Sequence, residues 1–175
     1  ENSGATLVGK DRDTYKELST KLSQLTLDFG QNALKESNKF EMLLTDEADL
    51  AGLPQMVKDA AAAKAKAKGK EGYIFDLSAP SYIAFMKYST RRDLRQKLYM
   101  AYNTKCVAGG EFDNQENVKE IAKTRMQIAN LLGYPDYATY TLRNKMAKDK
   151  EHVYGLLDDL FSAYAQAARE DVKMV

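Results

Sequence analysis

Histidine occurs once in the 175 residues, as His152 in the stretch KDKEHVYGLLDDL, and cysteine once, as Cys106. An imidazole that acts as a general base or metal ligand needs a second group to orient it or share the metal. Zinc peptidases of the H-E-x-x-H type place two histidines one helical turn apart, with a glutamate between them to activate water. His152 is followed by Val153 and has no second histidine to work with. It lies three residues after Asp149, so the expected role is structural: Asp149 caps a helix and His152 covers its polar first turn. Cys106 falls near the expected end of a helix with no histidine in sequence range. A thiol so placed lacks the base or helix N-terminus that would activate it, and is expected to pack as a small apolar residue.

Other chemistry-bearing patterns are equally incomplete. Lys64, Lys66 and Lys68 in AAAAKAKAKGK are spaced by two, which fans them around a helix as a solvated face and makes no basic stripe for nucleic acid. The loop AGGEFDN sets two glycines before a helix, a placement that suits an anion, but it lacks the G-x-x-x-x-G-K-[ST] spacing and reads as a connection capped by Asp113. Asp158 and Asp159 are adjacent and point to different faces of one helix, so they cannot share a proton. Tyr137 and Tyr140 share one side of a short helix near Tyr134, as packing with hydroxyls at the wet edge or as contacts to a peptide backbone. No catalytic, cofactor-binding or metal-ligating residue is assigned within the chain.

The elements that would position these residues are mostly helical. With 44% hydrophobic and 29% charged residues the chain is expected to fold. Lys and Arg total 26 against 25 Asp and Glu, which gives no net drive toward nucleic acid or an anionic membrane. No apolar run reaches transmembrane length, and ENSGATLVGKDRD lacks the basic start and apolar core of a signal peptide. Apolar residues from Tyr15 to Ala33 recur at helical spacing, with Thr14 and Glu17 as a capping box for the start. KFEMLLT and EGYIFDLS break that period and are expected to pair as a small β ribbon around 40–45 and 72–77. TDEADLAGLP reads as a turn with a short helix, and a helix opened by Pro54 closes near Gly69. The second half predicts helices in APSYIAFMKYS, in TRRDLRQKLYMAYNTKCV, from Asp113 and Glu116 to Gly133, from Pro135 through PDYATYTLRNKM, and from Asp149 onward. The last has the face Val153, Leu156, Leu157, Leu160, Tyr164, Ala168 and Val172. The expected fold class is all-α, with about seven helices and one possible two-stranded ribbon.

Four stretches taken together resemble a known family: LSQLTLDFGQNALKESNKFEMLLTDEADLAGLP, PSYIAFMKYSTRRDLRQKLYMAY, GGEFDN and LLGYPDYATYTLRNKMA. They are similar to the region upstream of the catalytic motif in the peptidyl-dipeptidase (Dcp), oligopeptidase A and thimet oligopeptidase family of zinc metallopeptidases, and look nearest to the peptidyl-dipeptidase branch. The resemblance covers nearly the whole chain in the same order. It implies an almost entirely helical hydrolase whose two lobes enclose a channel for short peptides, with C-terminal dipeptides released by zinc-activated water and a glutamate base. The H-E-x-x-H helix and further glutamate ligand of that family lie downstream of the matching region, so none of its catalytic residues transfers to a position here.

The chain also opens on Glu1 rather than Met, and FSAYAQAAREDVKMV stops in mid-pattern. Residues 1–175 are therefore expected to be a single helical fragment of a larger peptidase, a scaffold and channel wall that binds no zinc and has no activity alone. Its partners would be the remainder of the parent polypeptide and, for the parent, short peptides; an isolated piece would self-associate through exposed apolar surface. The parent would be soluble, in the bacterial cytoplasm, or in the periplasm if a signal peptide preceded it. The competing expectation is a self-contained helical interaction module that binds a partner through a tyrosine or leucine face.

Overall fold

The computed structural model describes residues 4–174. In chain order these form α1 (Gly9–Lys39), β1 (Met42–Leu44), a 3-10 turn (Glu47–Leu50), α2 (Gln55–Ala67), β2 (Tyr73–Phe75), α3 (Ala79–Tyr88), α4 (Arg92–Asn103), α5 (Gln115–Leu131), α6 (Tyr137–Leu142) and α7 (Lys150–Lys173). Seven α-helices and a two-stranded antiparallel sheet are the expected all-α architecture with its ribbon. No helix among the described residues is long and apolar enough to cross a membrane.

The residues group into two compact units, one of Leu25–Lys119 and one of the flanking residues up to Gln24 and from Glu120 onward, with α1 and α5 contributing to both. In the first unit the ribbon pairs Met42 with Phe75, Leu43 with Ile74 and Leu44 with Tyr73. Side chains alternate across a strand, so Met42 and Leu44 are buried while Leu43 faces out. Around them Leu50, Leu53, Ala61, Leu77, Phe85 and Leu98 complete the core. Phe75 meets Phe85 edge-on at 4.7 Å, and Tyr82 of α3 stacks on Tyr102 of α4 at 4.0 Å. Asp46 caps the 3-10 turn by accepting from the Ala48 N–H. Lys64 of α2 reaches Asp76 just past β2 at 2.6 Å.

Asparagines hold α5 to α1 within this unit. Asn114 is 2% exposed; its amide donates to the Phe29 carbonyl at 3.1 Å and its oxygen accepts from Asn32 at 3.0 Å. One turn on, Asn117 donates to the Leu25 carbonyl at 3.0 Å. Burying the Asn114 amide is tolerable because its nitrogen and its oxygen are both matched.

The second unit buries Ile121, Thr124, Ile128 and Ala129 of α5, and Lys21 of α1 pairs with Glu120 at 2.7 Å. Gly133 closes α5 with φ +84°: the Tyr134 N–H reaches the Ala129 carbonyl and the Gly133 N–H that of Asn130, the paired bonds of a Schellman stop.

Several helix ends differ from expectation. Helix α1 starts at Gly9, so Thr14 and Glu17 lie inside it; GKDRD contains no stop signal and puts Asp11 at the positive end of the helix dipole. Helix α4 stops at Asn103, short of Val107: the Thr104 N–H closes its last turn on the Met100 carbonyl, and Cys106 then takes left-handed backbone at φ +58°, which cannot continue the helix. Asp136, not Pro135, begins α6, accepting from the Thr139 N–H at 2.7 Å. The Pro54 start and the stop at Gly69 are as expected, with Pro54 at the cap position of α2.

Candidate functional site

Asp149 caps α7 as its spacing predicts. Its Oδ1 accepts from the His152 N–H at 2.9 Å and lies 2.6 Å from His152 Nδ1. These two hydrogen bonds, the backbone one first, hold the Asp149 carboxyl below its ordinary range. The His152 side chain is 67% exposed, so the imidazole covers a helix end and faces solvent.

The same device recurs one helix earlier. Asp136 takes the Thr139 N–H and also meets Lys150 Nζ at 2.9 Å, linking the start of α6 to the start of α7. The Thr139 backbone donor, followed by Lys150, pulls the Asp136 carboxyl down to about 2. Nothing in the sequence singled out this aspartate, although D-x-x-T is the spacing of an N-cap.

The three tyrosines do converge. Tyr140 lies 5.4 Å from Tyr134 and 5.7 Å from Tyr137. Arg143 sits 4.9 Å from the rings of both Tyr134 and Tyr140 and donates to the Tyr134 hydroxyl, while Arg125 covers Tyr137 at 5.4 Å. Burial raises the Tyr140 hydroxyl above its usual value. Cations stacked on ring faces are a cohesive arrangement, and here they fill the space between α5 and α6. The arginines were not foreseen, because their partners are non-local in α5 and adjacent only through a turn.

Cys106 lies beyond the end of α4, with φ +58° and 8% exposure. Burial, then the charge of Glu36, raises its thiol, the opposite of what a nucleophile requires. It lines a shallow groove of about 520 Å³ with Phe29, Ala33, Val107 and Val118. The loop at Gly109 and Gly110 already holds an anionic group of its own. Asp113 accepts from the Gly109 and Gln115 N–H groups, each at 2.8 Å, which lowers its carboxyl, the Gln115 backbone bond most of all. Glu116 pairs with Lys119 instead of reaching back as a capping partner.

In the lysine run, Lys64 is taken by Asp76, and Lys68 with Lys70 by Glu41, whose carboxyl they lower, Lys68 first. Asp158 and Asp159 are both exposed. Among the described residues no group of three or more His, Cys, Asp or Glu side chains could hold a metal ion. The donor set of the described residues therefore does not fit a zinc site of the peptidase type.

Helix α7 carries an exposed apolar face. None of its residues is buried. Tyr154, Leu156, Leu157, Leu160, Phe161 and Tyr164 are each at least 45% exposed. The sequence shows this apolar face plainly, but by periodicity it reads as one turned toward a core.

The comparisons with known proteins bear on this arrangement. The family model described as Peptidase family M3 matches residues 85–175. Oligopeptidase A of Salmonella typhimurium and oligopeptidase A of Escherichia coli are each 38% identical over 91% of this chain and 24% of their own length. Dipeptidyl carboxypeptidase of Escherichia coli is 27% identical over 98% of this chain and 25% of its own. The expected leaning toward the peptidyl-dipeptidase branch is thereby corrected: oligopeptidase A is the nearer match, a distinction that four short stretches could not resolve. The chain spans about a quarter of the length of these relatives. From α3 through α7 it carries the family's pattern: the chain belongs to peptidase family M3.

Proposed function

We propose that residues 1–175 are a non-catalytic helical scaffold of a larger zinc metallopeptidase, forming part of the wall that encloses its peptide substrates. The observation that carries this reading is a contrast. The family match extends over more than half of the chain, yet the donors are wrong for the chemistry: one solvent-facing histidine bound to its own helix cap, and one buried thiol with a raised pKa. The zinc ligands and the glutamate base would then come from polypeptide outside these residues. The substrates of the parent would be short peptides, in keeping with the names of the oligopeptidase relatives.

Within that reading two cleavage patterns are open to test. Release of C-terminal dipeptides is the pattern of the peptidyl-dipeptidase type, and the higher identity to oligopeptidase A favours the other, cleavage of short peptides that needs no free C-terminus. A full-length parent assayed on a short peptide with a free C-terminus and on its C-terminal amide separates them: equal cleavage of both is expected, and loss of cleavage on amidation would return the parent to the dipeptide-releasing type. The scaffold role is tested by assaying the 175-residue chain beside the parent with and without added zinc.

A further inference from the structure

The apolar surface of α7 is too wide for one neighbour. At about 100° per residue, its side chains divide cleanly from Glu151 to Ala168. Glu151, His152, Asp158, Asp159, Ser162 and Gln166 fall on one side. Tyr154, Leu156, Leu157, Leu160, Phe161 and Tyr164 span an arc of roughly 160°, which Ala163 and Ala165 at its two edges widen to roughly 200°, well beyond the ~100° stripe by which a surface helix packs on one partner. All six of these large side chains are exposed. Pairing with α7 of a second copy would cover one stripe and leave the rest of the arc in water. Burial of the whole arc takes apolar surfaces on two sides.

We propose that α7 is sheathed on two sides by apolar helical surfaces of the same polypeptide outside this chain, making it the element that joins the scaffold to the remainder of the enzyme. This rests on the reading of the chain as part of a larger peptidase, and on the observation that it spans about a quarter of its relatives' length. The polar side, centred on Ser162, remains in water. Phe161 and Ala163 lie on opposite flanks of the arc, so three consecutive positions report on three directions.

The test compares single variants Phe161→Cys, Ser162→Cys and Ala163→Cys, each made in the 175-residue chain and in the full-length parent, with Ala168→Cys as a milder substitute for the Phe161 flank. Labelling by a small soluble maleimide is read peptide by peptide in a mass spectrometer. In the 175-residue chain all three positions label fast. In the parent, positions 161 and 163 slow by about 100-fold or more while 162 stays fast, since buried packing suppresses local opening. Protection of one flank only, or of neither, would overturn the proposal. Protection in the 175-residue chain that grows with its concentration would assign the face to a second copy and overturn it too. A parent that shows the expected labelling yet cleaves no peptide would defeat the peptidase reading and leave the two-sided packing standing.

Discussion

At the scale of single residues, the polar groups act as fasteners. Asp136 illustrates the sign of their pH dependence. Its folded carboxyl is held at about 2, against an ordinary value of 3.8, so its contribution to stability is complete above the ordinary value and is lost as pH falls toward 2. Urea unfolding followed between pH 5 and pH 2 is expected to show this loss, and Asp136→Asn to flatten it; an unchanged profile in the variant would show that Asp136 is not responsible. Asn114 makes a different prediction. Replacing it with Ala leaves the Phe29 carbonyl and the Asn32 amide without their buried partner, which is expected to cost about 1–3 kcal/mol in the same unfolding measurement. Cys106→Ala in the full-length parent is expected to leave peptide cleavage intact, because a buried thiol with a raised pKa has no part in it.

At the scale of elements, the glycine that stops α5 and the core around the ribbon carry separable costs. Gly133 has open space around its Cα but φ +84°, so Gly133→Ala is expected to destabilise by about 1–2 kcal/mol from backbone conformation alone, with Gly133→Asn costing less. Leu98→Ala removes a side chain that is fully enclosed and is expected to cost about 2–5 kcal/mol. Both are read from thermal or urea unfolding.

The elements also show what a sequence can and cannot disclose. The Asp149 cap was legible because its partner lies three residues on, and the ribbon because two short aromatic runs interrupt helical spacing. The start of α1 was not, since GKDRD continues a helix without any break. Nor was the end of α4, where the chain turns through left-handed backbone at Cys106, a non-glycine position that periodicity does not register. The buried asparagines were invisible because Asn114 and Phe29 stand far apart in the chain. The face of α7 was read correctly as apolar, while its exposure depends on neighbours that no local pattern encodes.

At the scale of the whole molecule, the chain belongs to peptidase family M3, and no cluster among its described residues could hold a metal ion; the proposed account is that it shapes a peptidase whose chemistry lies in polypeptide outside it. The most direct test is peptide hydrolysis by the purified 175-residue chain, assayed with and without added zinc at the same molar concentration as the full-length parent. The account predicts zinc-dependent cleavage by the parent and none by the chain. Zinc-dependent cleavage by the chain alone, abolished by a chelator and restored by the metal, would contradict it.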